Sequence, residues 1–323
     1  MTTKTNGNDL TFYLNGEKVT IPTNSIAPQT LLVDYLREST KWKGTKLGCG
    51  EGGCGACAVT LTYMESSDGS IRTNSANACL KPLAACDGMS ITTADGLNRC
   101  CGGGKNHPIA DRLHKLHGSQ CGYCTPGMVM AIYAQLKKNG GKADAETMEE
   151  AIDGNICRCT GYRPILDTAK SFATDSKVVD HMTGEVKPGS YDAKTIDPDV
   201  DDATFYARKK DVSELVFANG SWVRVGTLKR ARELAGTKSR FLVGDTCKGV
   251  YKNPPSVDVT IDVRDVPELR VSRVDGSNLI LGAARTLNDL RDALRVSQGK
   301  SKSFEVRHGC FVLLLLNSHT SFC

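Results

Sequence analysis

The stretch "LGCGEGGCGACAVTL" at residues 47–61 supports two incompatible readings. Gly50, Gly52 and Gly55 spell G-x-G-x-x-G. That spacing cradles a dinucleotide pyrophosphate when it comes after a strand and opens a helix, with an acidic residue about 20 positions on. The same stretch carries Cys49, Cys54 and Cys57 as C-x4-C-x2-C, with Cys79 further along, the thiolate spacing of a plant-type [2Fe–2S] site. The segment after the loop decides between them. In "AVTLTYM" (58–64), Val59, Leu61 and Tyr63 alternate with Ala58, Thr60 and Thr62, which predicts a half-buried strand where a dinucleotide site needs a helix. The glycines then belong to a loop that turns backbone N–H groups towards sulfur. Such a loop needs φ > 0 at several positions, which Gly48, Gly50, Gly52, Gly53 and Gly55 are expected to supply.

A second cysteine group lies at Cys121-Gly-Tyr-Cys124 and Cys157-Arg-Cys159. Taken alone, C-x2-C with C-x-C also suits a tetrahedral zinc ion, since ligand count does not separate zinc from iron. No histidine adjoins 157–159, so a mixed His/Cys centre is not expected.

Elements can be placed around both groups. "LTFYLNGEKVTI" (10–21) predicts a hairpin turning at Asn15-Gly16, and "PQTLLVDYLRES" (28–39) a helix with Leu31, Leu32, Tyr35 and Leu36 on one face. From about 107 to 174 the pattern is helical. "PGMVMAIYAQLKKNGG" (126–141) carries one apolar stripe that makes Met128 and Met130 core residues, Thr147 with Glu150 fits a capping box, and "YRPILDTAKSFA" (162–173) reads as a further helix. His107, His114 and His117 have the spacing of an exposed helix. Residues 175–212 are polar and aperiodic, a linker. A third region opens near "VFANGSWVRVGTL" and carries strand patterns at 257–263 and 278–284.

The whole chain sets outer bounds. Its 323 residues allow two or three domains. The net charge of +5 comes from 41 basic and 36 acidic residues without a basic block, so no nucleic-acid partner is expected. The densest apolar run, "CFVLLLL" at 310–316, is far below the ~20 residues of a membrane span. No secretory h-region opens the chain, so a cytoplasmic location is expected. In such a compartment the 14 cysteines, eleven of them between Cys49 and Cys159, point to metal or redox chemistry and away from disulfides. Cys86, Cys100, Cys101, Cys247, Cys310 and Cys323 fit neither group and are expected to be free thiols. No nucleophile elbow, P-loop or H-E-x-x-H is present.

"CGEGGCGAC" (49–57), "GSQCGYCTPGMVM" (118–130) and "GNICRCTGYRPIL" (154–166) together resemble the molybdenum hydroxylases, the aldehyde oxidase and xanthine dehydrogenase family. The likeness is strong over about 10–175 and weaker over 215–290, and its finer features resemble animal, insect-like aldehyde oxidases. It implies an α+β chain: a β-grasp [2Fe–2S] ferredoxin domain (8–96), a helical-bundle [2Fe–2S] domain (105–174), the linker, a partial FAD-binding domain (213–300) and an atypical tail (301–323). Cys49, Cys54, Cys57 and Cys79 would hold the cluster nearer flavin; Cys121, Cys124, Cys157 and Cys159 the one nearer molybdenum. Gln120 matches the family position that contacts molybdopterin, a cofactor expected only in a fuller chain or a partner subunit. In "FLVGDTCKG" (241–249), residues Leu242, Val243, Gly244, Asp245, Thr246, Cys247 and Lys248 match the family's FAD loop. Asp245 stands where the family has asparagine, which sets a carboxylate beside phosphates. The family's second glycine-rich flavin loop and its catalytic glutamate lie further on than this chain reaches, and the residues after "LGAARTLNDL" match nothing in it. The resemblance therefore implies electron transfer towards FAD, with substrate hydroxylation not expected of this chain alone. The other readings are an iron–sulfur subunit of a multi-chain hydroxylase, a zinc-holding module and a truncated, non-functional product. The oligomeric state is open.

Overall fold

The computed structural model describes residues 9–65, 69–100, 106–180, 184–185, 213–244, 256–275, 278–287, 289–290 and 293–294. Asn15 and Gly16 take φ of 52° and 79°, as a two-residue hairpin turn of the primed type requires. The turn joins β1 (Leu10–Leu14) to β2 (Glu17–Ile21), with Leu10 opposite Ile21. The side chain of Asn15 then fastens the turn to the next part of the sheet, accepting the Thr93 N–H at 2.8 Å. β3 (Ala58–Met64), β4 (Ile71–Asn77) and β5 (Ser90–Thr92) complete a mixed sheet in the order β2-β1-β5-β3-β4. β5 lies parallel to β1 and antiparallel to β3. Phe12, Val59, Leu61 and Ile91 bury one face against Leu32, Leu36 and Leu83.

Two expectations are revised here. The helix over 28–39 is shorter than its pattern. Leu31 is extended and bridges to Pro82, so α1 runs only Leu32–Asp34 before widening into a π-turn at Tyr35–Ser39. β3 is not half-buried: Ala58 to Thr62 are buried in succession. Val59 and Leu61 face the first core. Ala58 enters a second core with Met128, Ile132 and Tyr133, so the face that alternation would give to water is covered by a neighbouring helix.

That helix is α4 (Thr125–Lys138), the centre of the second unit. Its companions are α2 (Ala94–Cys100), α3 (Pro108–Lys115), α5 (Ala145–Glu150) and α6 (Arg163–Lys170). Every residue of α4 from Gly127 to Ala134, and Leu136, is buried; a helix apolar all round is a core helix, so the expected stripe is in fact a full circumference. α5 is capped three residues earlier than the capping-box pattern indicates. Asp144 accepts the Thr147 N–H at 2.8 Å, and Thr147 is an interior residue of the first turn. His107 is not on an exposed helical face. It is fully buried and caps α3, with Nδ1 accepting from the Ile109 N–H at 3.3 Å. His114 is exposed on α3, and His117 lies beyond its end at φ 61°.

Within 175–212, Val179–Asp180 pairs with Gly184–Glu185 as two short strands, β6 and β7; most of that stretch lies outside the described residues, as does 301–323. The third unit holds β8 (Ser213–Phe217), β9 (Gly220–Arg224), α7 (Leu228–Leu234), β10 (Ser239–Leu242) and β11 (Val259–Asp262), with sheet order β10-β11-β9-β8. β9, β10 and β11 are parallel. A separate ribbon pairs β12 (Ser272–Asp275) with β13 (Asn278–Leu281). This unit is fastened to the first. Leu215, Phe217, Trp222 and Leu242 share the core of β1 and β3. Arg224 donates to the Asp87 carbonyl at 2.8 Å, Arg264 to the Ala85 carbonyl at 2.5 Å, and Arg270 pairs with Glu65. Among the described residues no helix is long and apolar enough to cross a membrane.

Candidate metal centres

The first loop owes its path to three glycines. Gly50, Gly52 and Gly55 stand at φ of 68°, 73° and 66°, the left-handed region that costs a residue with Cβ about 1–2 kcal/mol. They are the same three that spell the dinucleotide pattern, and the strand after them leaves that pattern no helix to open. Gly48 and Gly53, expected to share this role, are not at positive φ. Gly48 is constrained by space instead: a Cβ there would lie 2.8 Å from Cys54 Sγ. At Gly53 nothing lies within 4 Å.

This loop brings Cys49 into contact with Cys54, and Cys57 with Cys79. The second unit does the same at the head of α4, pairing Cys121 with Cys159 and Cys124 with Cys157. All eight sequence-predicted cysteines therefore fall into two groups, each made of two touching pairs. Among the described residues no three His, Cys, Asp or Glu side chains close on a single point. Depth differs between the groups. In the first, Cys57 and Cys79 are buried and Cys49 is exposed; in the second, Cys157 is buried and both members of the pair Cys121 and Cys159 are exposed.

In three of the touching pairs one thiol is held down and its partner pushed up. The hydrogen bond from Cys79 holds the Cys57 thiol below its ordinary range, and Cys79 is pushed up in return. Burial, then contact with Cys157, pushes Cys124 up to about 12. Cys121 is held down by the Tyr123 N–H and then by Cys159. Burial works against the Cys157 thiolate, but the Thr160 hydroxyl at 3.1 Å and the Thr160 and Cys159 amides outweigh it. Cys124 is also the N-cap of α4, whose positive end favours thiolate.

Two asparagines that the spacing did not single out hold the first loop. Asn77 Nδ2 donates to the Gly52 carbonyl at 2.9 Å, and Asn155 Nδ2 to the Gly55 carbonyl at 3.0 Å. Both stand in Asn-x-Cys, two residues before Cys79 and Cys157; that repeated tripeptide was the available signal. Further ties join the loops: the Ile156 N–H donates to the Cys54 carbonyl at 2.9 Å, and Tyr123 Oη to the Leu47 carbonyl at 2.6 Å.

Elsewhere, Gln120 is exposed beside Cys121. Cys86 is a buried free thiol, pushed up to about 11 by burial, its Sγ 3.6 Å from the Pro82 carbonyl. Leu242 is buried at the end of β10, with half-buried Val243 and exposed Gly244 after it. Asp245, Thr246, Cys247 and Lys248 lie outside the described residues, as do Cys101, Cys310, Cys323 and the side chain of Cys100.

Comparison with known proteins agrees with this geometry. Residues 12–86 match the family "2Fe-2S iron-sulfur cluster binding domain", and residues 93–170 the family "[2Fe-2S] binding domain". Abscisic-aldehyde oxidase of Arabidopsis thaliana is 36% identical over 92% of this chain and 24% of its own length. A xanthine dehydrogenase of Drosophila subobscura is 35% identical over 88% of this chain and 23% of its own. Among solved structures, quinoline 2-oxidoreductase from Pseudomonas putida 86 aligns at 30% identity and a TM-score of 0.42, over 50% of this chain and 90% of that one. The chain thus spans about a quarter of the length of the curated relatives it matches, and aldehyde oxidases and xanthine dehydrogenases match it almost equally. With both cluster-binding domains present in this order, the chain belongs to the molybdenum hydroxylase family of aldehyde oxidases and xanthine dehydrogenases.

Proposed function

We propose that this chain is an electron relay that carries a [2Fe–2S] cluster at each cysteine group and passes electrons from the second site to the first. The observation that carries this reading is the pairing of the thiols. A two-iron cluster takes two thiolates on each iron, whereas a zinc ion takes all four at once. Such a cluster, when bound, takes up and gives back one electron without proton or atom transfer. The chain's residues do the rest. Asn77 and Asn155 hold the first loop's carbonyls, Cys57 and Cys79 keep one side of that site away from water, and burial with N–H groups near sulfur sets a site's potential. The exposed Cys121 and Cys159 give the second site an open side, the side from which a donor would reach it. Gln120 stands there, and we assign it to contact with the molybdopterin of a molybdenum-bearing domain or subunit.

The flavin reading also belongs here. β9, β10 and β11 are parallel, and ligands of such sheets bind beyond the carboxyl ends of the strands. The stretch 242–248 leaves β10 at that end, and Leu242 shares the first unit's core. FAD held there by Leu242 to Lys248 would therefore adjoin the unit that carries the first site. A cytoplasmic location fits the nine free cysteines among the described residues.

The deciding experiment is iron and acid-labile sulfide analysis of anaerobically purified chain, with EPR after dithionite. The expected result is about four irons per chain and two distinct signals. About two irons with about one zinc per chain would give the second site to zinc, and no iron after reconstitution would end the relay reading. Flavin released by acid would establish the FAD site, and its absence would remove that part alone.

A further inference from the structure

We infer that the second cysteine loop, through Asn155, positions the first, so that the two sites form one assembly and the potential of the first depends on a residue of the second. The inference rests on the two-cluster reading above.

The first loop is held by two asparagines from two directions. Asn77, within the first unit, binds the Gly52 carbonyl, and Asn155, from the second, binds the Gly55 carbonyl. The adjacent Ile156 N–H takes the Cys54 carbonyl. In a planar trans peptide the C=O and the following N–H point opposite ways. Drawing the Cys54 and Gly55 carbonyls towards the second unit therefore points the N–H groups of Gly55 and Ala56 away from it. Those N–H groups lie between the ligands Cys54 and Cys57, and donors of this kind tune a cluster's potential.

The fit leaves no slack. A Cβ on Gly55 would lie 2.5 Å from the Gly154 carbonyl, and one on Gly127, three residues past Cys124, would lie 2.3 Å from the Gly55 carbonyl. Tyr123, between Cys121 and Cys124, adds its bond to Leu47. Every segment of the second site that carries a cysteine thus touches the first loop within a few residues of one of its cysteines.

The test compares the full chain with Asn155→Leu, which keeps the branch at Cγ and removes the donor. Both are reconstituted with ferrous iron and sulfide and titrated by EPR-monitored redox potentiometry, with Cys54→Ser marking which signal belongs to the first site. In Asn155→Leu the first site's reduction equilibrium is expected to become about tenfold less favourable, about 59 mV for a one-electron couple, or its iron to be lost, with the second signal unchanged. Both potentials and the iron content equal to the parent's, or a change confined to the second signal, would overturn the inference. Should Asn155→Leu fail to fold, Tyr123→Phe decides, since it removes one hydroxyl from an exposed side chain; a smaller shift of the first signal in the same direction supports the inference and an unmoved one overturns it. A parent that takes up no iron would remove the two-cluster reading and this inference with it.

Discussion

At Gly52 the backbone stands at φ 73°, and a Cβ would meet Leu80 Cδ1 at 2.2 Å; at Gly53, its neighbour, neither restraint exists. The two positions give a matched pair of variants. Gly52→Ala carries a backbone cost of about 1–2 kcal/mol before any clash is counted. It is expected to cut iron from about four towards about two per chain and to erase the first site's EPR signal. Gly53→Ala is expected to leave both signals as they are. A Gly52→Ala chain with full iron would show that Leu80 yields and the turn is not needed. The sequence made all eight cysteines legible, because a cluster demands its ligands at fixed spacings. It also made the loop's glycines legible as a group, but not which of them carry the strain. Asn155 was legible only as the second copy of Asn-x-Cys; its partner was not, because the bond reaches back 100 residues to Gly55, a contact that only the packing of two units creates.

At the scale of elements, α3 depends on a neutral imidazole. His107 is fully buried at its N-cap with Nδ1 as acceptor, and burial lowers its pKa to about 4 from an unfolded value of 6.5. The unfolded chain therefore binds more protons between those values. The contribution of His107 is fully present above pH 6.5 and is lost as pH falls towards 4, by about 3 kcal/mol across the whole window. His107→Asn keeps a capping oxygen and does not titrate. In urea unfolding of the cluster-loaded chain, the parent should lose stability from pH 6.5 to 4 more steeply than this variant. Parallel slopes would show that the imidazole is not what titrates. Periodicity found α4 and the first hairpin, since both arise from local apolar spacing and turn chemistry. It misjudged β3 because alternation reports one buried face and carries no information about a second unit on the other. It missed His107 because one buried histidine leaves no period.

Across the whole molecule, the third unit is held to the first by apolar packing and by ionic groups out of contact with water. Asp262 is fully buried, 3.1 Å from Arg264 and 3.9 Å from Arg224, and both arginines reach carbonyls of the first unit. Asp262→Ala would take from the buried Arg264 the carboxylate 3.1 Å away, while Arg224 keeps Asp265 at 3.6 Å, a loss of about 3–5 kcal/mol. It is expected to separate the unfolding of the third unit from that of the rest, with earlier protease cleavage between 180 and 212. Unfolding in one step at the parent's urea midpoint would show that the apolar contacts of Trp222 and Leu215 suffice. Of this contact the sequence showed only a chain of domains; which faces meet depends on arginines that composition treats as surface charge. The hydrogen bond from the Ile156 N–H to the Cys54 carbonyl has a reach beyond anchoring. From the sulfur of Cys54 to the sulfur of Cys157 there runs a continuous line of covalent bonds interrupted once, at that N–H···O. Both of its atoms are main chain, so side-chain replacement at 156 leaves the line intact, and only proline there deletes the donor. The shortest bonded path between the two sites is in this sense written into the backbone, where sequence drift has little to act on.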